Sequence, residues 1–217
     1  KYGFLAVASG EGFKNIYNEL GITGFVSGGQ SMNPSTEDIL KAAYDVNAET
    51  VFVFPNNKNI ILAAQQAQDI FEGNMIVIPT TSLAHVFPIM LMFDENKSES
   101  ELTEEFMSVL KNVKTGQVTY AVRDSQVNDI EIREGDIMAM AEDKVVGVND
   151  NSKDAVLSVL EKLNASSAEI ITVYSGEDVS EEELNELASA IEEKYPDCDV
   201  SPLAGGQPVY YYVVSVE

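Results

Sequence analysis

The chain has 217 residues, 45% of them hydrophobic, and carries 13 basic against 36 acidic side chains, a formal net charge of −23. That length allows one large domain or two small ones with a sizeable core, and the charge repels both a phosphate backbone and an anionic membrane surface, which argues against nucleic-acid and membrane partners. No apolar run reaches membrane-spanning length and residue 1 opens no signal-peptide pattern, so a soluble chain without membrane insertion is expected.

In chain order, Gly3–Val7 reads as a strand and Gly12–Leu20 as a helix stopped by Gly21. Ile22–Val26 is a second strand. Ser35–Val46 is a helix with Ile39, Leu40, Ala43 and Val46 on one face, and Ser35 with Asp38 three residues on supplies its start. Thr50–Phe54 is a strand, Lys58–Phe71 a helix ended by Gly73, and Met75–Ile78 a fourth strand. Short apolar strands alternating with helices indicate a parallel sheet covered on both faces, over residues 1–95.

Ser98–Val113 carries Leu102, Phe106, Val109, Leu110 and Val113 at helical spacing and is expected to link two halves, over residues 96–114. Beyond it the pattern changes. Gln117–Arg123, Ile130–Arg133, Ile137–Ala141 and Lys144–Val148 are short strand candidates joined by tight turns at Glu134-Gly135-Asp136 and Glu142-Asp143. Helix Ser152–Leu163, strand Glu169–Tyr174, helix Ser180–Lys194, a weak strand at Cys198–Ser201 and strand Val209–Val216 complete residues 115–217, an α+β half with a mixed sheet.

Ligands of an open parallel sheet bind outside the C-terminal strand ends. Four loops qualify: Ser9–Gly12, Gly28–Ser35, Pro55–Asn59 and Pro79–Ser82. Gly28 and Gly29 permit close backbone approach. Gln30, Ser31, Asn33, Ser35, Asn56, Asn57, Lys58, Thr80, Thr81 and Ser82 offer hydroxyls, amides and one ammonium, groups suited to a carboxylate or phosphate. Turn and cap chemistry accounts for the same residues. Gly205, Gly206 and Gln207 repeat the Gly-Gly-Gln of residues 28–30 after another strand candidate. If that echo is functional, the two loops meet in one cleft.

Cys198 is the only cysteine and His85 the only histidine. A disulfide within the chain and a zinc site made of Cys and His alone are therefore excluded. His85 lies in the apolar run 83–93, which favours a packed structural role. The phosphate-binding patterns GxxxxGK[ST] and GxGxxG are absent. No nucleophile stands beside a base in the four loops, so no catalytic residue is assigned.

Four stretches carry a resemblance: 28–40 (GGQSMNPSTEDIL), 54–63 (FPNNKNIILA), 111–124 (KNVKTGQVTYAVRD) and Gly205-Gly206-Gln207-Pro208. From about Tyr2 to Glu217 the chain resembles the C-terminal domain of the bacterial fatty acid kinase, in the dihydroxyacetone-kinase-like family. The resemblance implies a DegV-like fold of two α/β lobes. It implies a cytoplasmic parent whose N-terminal kinase domain, with its ATP and Mg, has no counterpart here, as in an excised fragment. It implies no cofactor of this domain's own, a DegV-like fatty-acid carrier protein as partner, and a homodimer formed through the absent domains. The carrier's bound fatty acid is phosphorylated for phospholipid synthesis. In such carriers a Thr-Ser-x-Pro-Ser loop contacts the lipid carboxylate, and Ser31–Ser35 resembles it, with Met32 and Asn33 departing from the pattern. The alternative is a fatty-acid-binding module in its own right.

The charge is uneven. Residues 96–217 hold 26 acids against 9 bases, while residues 1–95 hold 10 against 4. Glu181, Glu182 and Glu186, at the start of the Ser180–Lys194 helix, are the candidate docking face for a basic partner; a solvated helix start explains them equally.

Overall fold

The computed structural model describes residues 1–29 and 32–217; Gln30 and Ser31 lie outside the described residues. The chain divides into two compact units, Lys1–Asn112 and Val113–Glu217.

The first unit runs β1 (Tyr2–Ala8), α1 (Glu11–Glu19), β2 (Gly24–Ser27), α2 (Thr36–Val46), β3 (Thr50–Phe54), α3 (Lys58–Ile70), β4 (Asn74–Val77), α4 (Val86–Met90) and α5 (Glu99–Asn112). The four strands form a sheet in the order β2-β1-β3-β4, every pairing parallel. The helical crossovers in sequence require that arrangement, because a parallel neighbour cannot be reached by a hairpin. Strand alternation then sorts the side chains. Leu5, Val7, Val51 and Val53 pack with Ile39 and Ala43 of α2 and Ile60, Ala64 and Ala67 of α3. Their neighbours in sequence, Phe4, Phe52 and Phe54, meet Phe93 and Phe106, with ring centroids 4.9 Å apart for Phe4–Phe93 and 5.2 Å for Phe52–Phe106. The sheet is thus covered on both faces, as its continuous apolar strands demand.

Local chemistry fixes where helices begin. Ser35 accepts the Asp38 N–H at 3.1 Å, and Asp38 in turn accepts the Ser35 N–H at 2.9 Å. This reciprocal cap is worth about 1 kcal/mol, and the same pair holds the Asp38 carboxyl below the usual carboxylate range.

The second unit runs β5 (Lys114–Tyr120), β6 (Ser125–Val127), β7 (Ile130–Ile132), β8 (Ile137–Ala141), β9 (Lys144–Asn149), α6 (Ser152–Lys162), β10 (Ile170–Gly176), α7 (Glu181–Lys194), β11 (Asp199–Gln207) and β12 (Tyr210–Val216). Six strands pair as β11-β10-β12-β5-β8-β9, and β6 with β7 makes a separate hairpin. The β10–β11 pairing is parallel and the other four in this sheet are antiparallel, so the sheet is mixed. Val156, Val159 and Leu160 of α6 and Leu184, Leu187 and Ile191 of α7 share one core with Val118, Val173 and Val214 of the sheet.

Three sequence expectations change. The strand expected at Gln117–Arg123 is Lys114–Tyr120. Gly116, inside it, lets α6 approach: a Cβ there would lie 2.3 Å from Val159 Cγ1. The weak strand at Cys198–Ser201 is the nine-residue β11. Gly205, Gly206 and Gln207 therefore close a strand instead of forming a loop. Pro202 is accommodated because β11 is an edge strand, where a missing N–H need not cost a ladder bond. Finally, the run after Pro79 holds a 3-10 turn at Leu83–His85 and the short α4, neither of which the sequence pattern predicts.

Candidate functional site

All four strands of the first sheet point the same way, so the loops after them share one edge. Gly28 follows β2. A Cβ on it would meet Pro34 Cδ at 2.7 Å and Val7 Cγ1 at 2.9 Å, which explains the glycine by close packing. Gly29 and Met32 exchange backbone hydrogen bonds of 2.8 and 3.4 Å. Asn33 is exposed, and Ser35 is committed to its cap.

Asn56, after β3, is the most constrained residue of this edge. It is 7% exposed and adopts φ 58°, a left-handed conformation that asparagine tolerates better than most residues. Its backbone N–H donates to Thr80 Oγ1 at 3.0 Å and its Nδ2 donates to the Val7 carbonyl at 2.9 Å. Nδ2 also reaches the Tyr17 hydroxyl at 3.4 Å, and that hydroxyl donates to the Leu83 carbonyl at 2.6 Å. One side chain thereby ties together the ends of β1 and β3, helix α1 and the loop after β4. Asn56 Oδ1 is buried and has no hydrogen-bond partner among the described residues. Asn57 caps α3 by accepting the Asn59 N–H at 2.9 Å, and Lys58 is exposed at the first turn of that helix.

Thr80 is fully buried, Thr81 half-buried and Ser82 buried. Ser82 Oγ accepts the Ala84 N–H at 3.1 Å. His85 Nδ1 accepts the N–H groups of Thr81 and Ser82, each at 3.2 Å. This places the ring proton of neutral His85 on Nε2. Burial lowers its pKa from the usual 6.5 to about 4. The consequence for stability follows from linkage. The folded state holds His85 neutral, so stability is unaffected above pH 6.5 and falls as the unfolded chain gains a proton that the folded chain refuses. The expected loss between pH 6.5 and pH 4 is about 3 kcal/mol. Urea unfolding of the wild type relative to His85→Gln across that window measures it. A flat difference would mean that His85 titrates normally.

In the second unit Gln207 is fully buried. Its Nε2 donates to the Tyr174 carbonyl at 3.2 Å, and its Oε1 has no partner among the described residues. Gly205 is buried and Gly206, at φ 63°, half-buried. Glu181, Glu182 and Glu186 are exposed and line a groove of about 970 Å³ together with Lys153, Asn185 and Ser189. Glu183 is the exception among these acids, turned to cap Ser180. Among the described residues no group of three His, Cys, Asp or Glu side chains is placed to hold a metal, and no helix is long and apolar enough to cross a membrane.

Sequence reasoning ranked Asn56 level with its neighbours and left out Tyr17. The available signal was a hydroxyl at the foot of an otherwise apolar pair, Phe13 and Tyr17, beside an Asn-Asn turn.

A four-stranded parallel sheet followed by a mixed sheet with two helices on one face is the DegV-like α/β fold. A DegV family protein from Thermus thermophilus, described by its fatty acid binding, matches with a TM-score of 0.66 at 14% identity, over 100% of this chain and 99% of that one. The Streptococcus pneumoniae fatty acid kinase B3 protein loaded with linoleic acid matches at 0.67 and 15%, over 100% and 99%. The dihydroxyacetone kinase of C. freundii matches at 0.62 and 13%, over 99% of this chain and 48% of that one. The family is set by sequence. The C-terminal domain family of FakA-like fatty acid kinase proteins matches residues 3–217, and the chain belongs to that family. Protein YloV of Bacillus subtilis is 38% identical over 216 residues, and an uncharacterized protein of Staphylococcus haemolyticus is 36% identical over 213. The chain spans 39% of the length of each.

Proposed function

We propose that this chain is the non-catalytic C-terminal part of a fatty acid kinase, and that it engages a DegV-like fatty-acid carrier so that a separate kinase domain can phosphorylate the bound lipid. The family match over nearly the whole chain, within relatives more than twice its length, carries this reading. ATP and Mg belong to the kinase domain, which also supplies any homodimer contact, and the complex works in the cytoplasm toward phospholipid synthesis. The excess of 22 acids over 7 bases in residues 113–217 supports a basic docking surface on the carrier. The direct test is binding of this chain to an immobilised, linoleate-loaded DegV-like carrier. Saturable binding is expected, without ATP turnover by the chain alone. Absence of binding to loaded and empty carrier alike would sink the reading.

The second reading is a fatty-acid-binding module. It is favoured by fold neighbours described as loaded with linoleic acid and with heptadecanoic acid. Mass spectrometry of lipid extracted from the purified chain separates the two, since stoichiometric fatty acid would support only the second.

A further inference from the structure

We propose that Asn56 forms a binding site for a ligand hydroxyl at the C-terminal edge of the first sheet. The proposal is independent of carrier docking. It begins with the buried Oδ1, which accepts no hydrogen bond from the described residues. A buried acceptor without a donor is costly and rare, and it calls for an explanation.

The amide cannot resolve the deficit by turning over. Its Nδ2 donates to the Val7 carbonyl at 2.9 Å, and a flipped amide would set Oδ1 against that oxygen, acceptor to acceptor. The backbone cannot drift either, because the Asn56 N–H is held on Thr80 Oγ1. The neighbouring groups are otherwise engaged. Tyr17 spends its hydroxyl proton on the Leu83 carbonyl at 2.6 Å, and His85 Nδ1 is an acceptor for two backbone N–H groups. Lys58, two residues on, is exposed and leaves Oδ1 without a partner.

The missing partner is therefore a donor, which fixes the chemical class. A carboxylate has no proton to give at neutral pH. An ammonium has, but one neutral acceptor does not offset the desolvation of a full charge. A hydroxyl satisfies Oδ1 without bringing a charge into the site, and its oxygen remains free to accept from a second group. Asn56 sits in the left-handed region at φ 58°, the kind of position where backbone strain is kept for ligand contact.

The test uses the 15N-labelled chain and follows the Thr80 backbone amide during separate titrations with glycerol, sodium acetate and methylammonium chloride. Glycerol is expected to give a saturable shift, and the other two none. Asn56→Gly accepts the same φ and removes the acceptor, so the glycerol affinity should fall about tenfold, the scale of one lost hydrogen bond. The wild-type titrations stand even if that variant does not fold. Absence of a saturable glycerol shift, an equal or stronger response to acetate or methylammonium, or an undiminished glycerol response in folded Asn56→Gly would each overturn the proposal.

Discussion

Replacing Phe106 by alanine is expected to destabilise the first unit by about 3–5 kcal/mol, the range for a fully buried phenylalanine. Phe106 is 0% exposed and its ring lies 5.2 Å from Phe52 and 6.4 Å from Phe54. These are side chains of the central strand β3, so the loss falls on the sheet itself. The alanine would leave a cavity under two aromatic rings that are rigid and cannot collapse into it. Urea unfolding followed by circular dichroism measures the effect, with the second unit as an internal reference if it unfolds separately. A loss below about 1 kcal/mol, an ordinary value for a point substitution, would show that α5 serves only as a connector between two halves.

The triple variant Glu181→Gln, Glu182→Gln and Glu186→Gln should slow association with a loaded DegV-like carrier by about tenfold at low salt, with little change in dissociation. All three carboxylates are exposed along one groove, and none serves the cap that Ser180 and Glu183 form. Their loss should therefore leave the fold intact while weakening long-range attraction. Raising the ionic strength to physiological values, where the screening length is about 8 Å, should bring wild type and variant together. Surface plasmon resonance across a salt series reads both rates. If wild type and variant associate equally fast at every salt concentration, this groove does not face the carrier, and the acids keep the chain soluble and nothing more.

Much of this architecture was legible in the residues. The first sheet announced itself because GFLAV, TVFVF and MIVI are apolar without alternation, which only a strand buried on both faces needs. Caps at Ser35 and Ser180 were legible because the side chain and its partner stand three residues apart. What sequence could not give was decided by partners far away in the chain. The length of β11 depends on β10, which pairs with it from Ile170–Asp199 onward and carries it past a proline. The start of β5 depends on how closely α6 approaches Gly116. The same holds for the candidate site. Composition marked Asn56 as one polar residue among many. Only the fold shows that Val7, Tyr17 and Thr80, as many as 49 residues away, engage its backbone N–H and its Nδ2 and leave one side-chain oxygen over.

The proline in β11 also bears on how this protein behaves when crowded. An edge strand is an open template on which a second molecule can lay a strand, and repetition of that step is how soluble β-proteins become fibres. With Pro202 in the middle of nine residues, the outer row of donors on that side is short and interrupted. Aspartate at the first position adds like-charge repulsion between copies. The mixed sheet thus carries its own protection against runaway strand addition along this margin, and a chain with 36 acidic side chains adds colloidal repulsion to it.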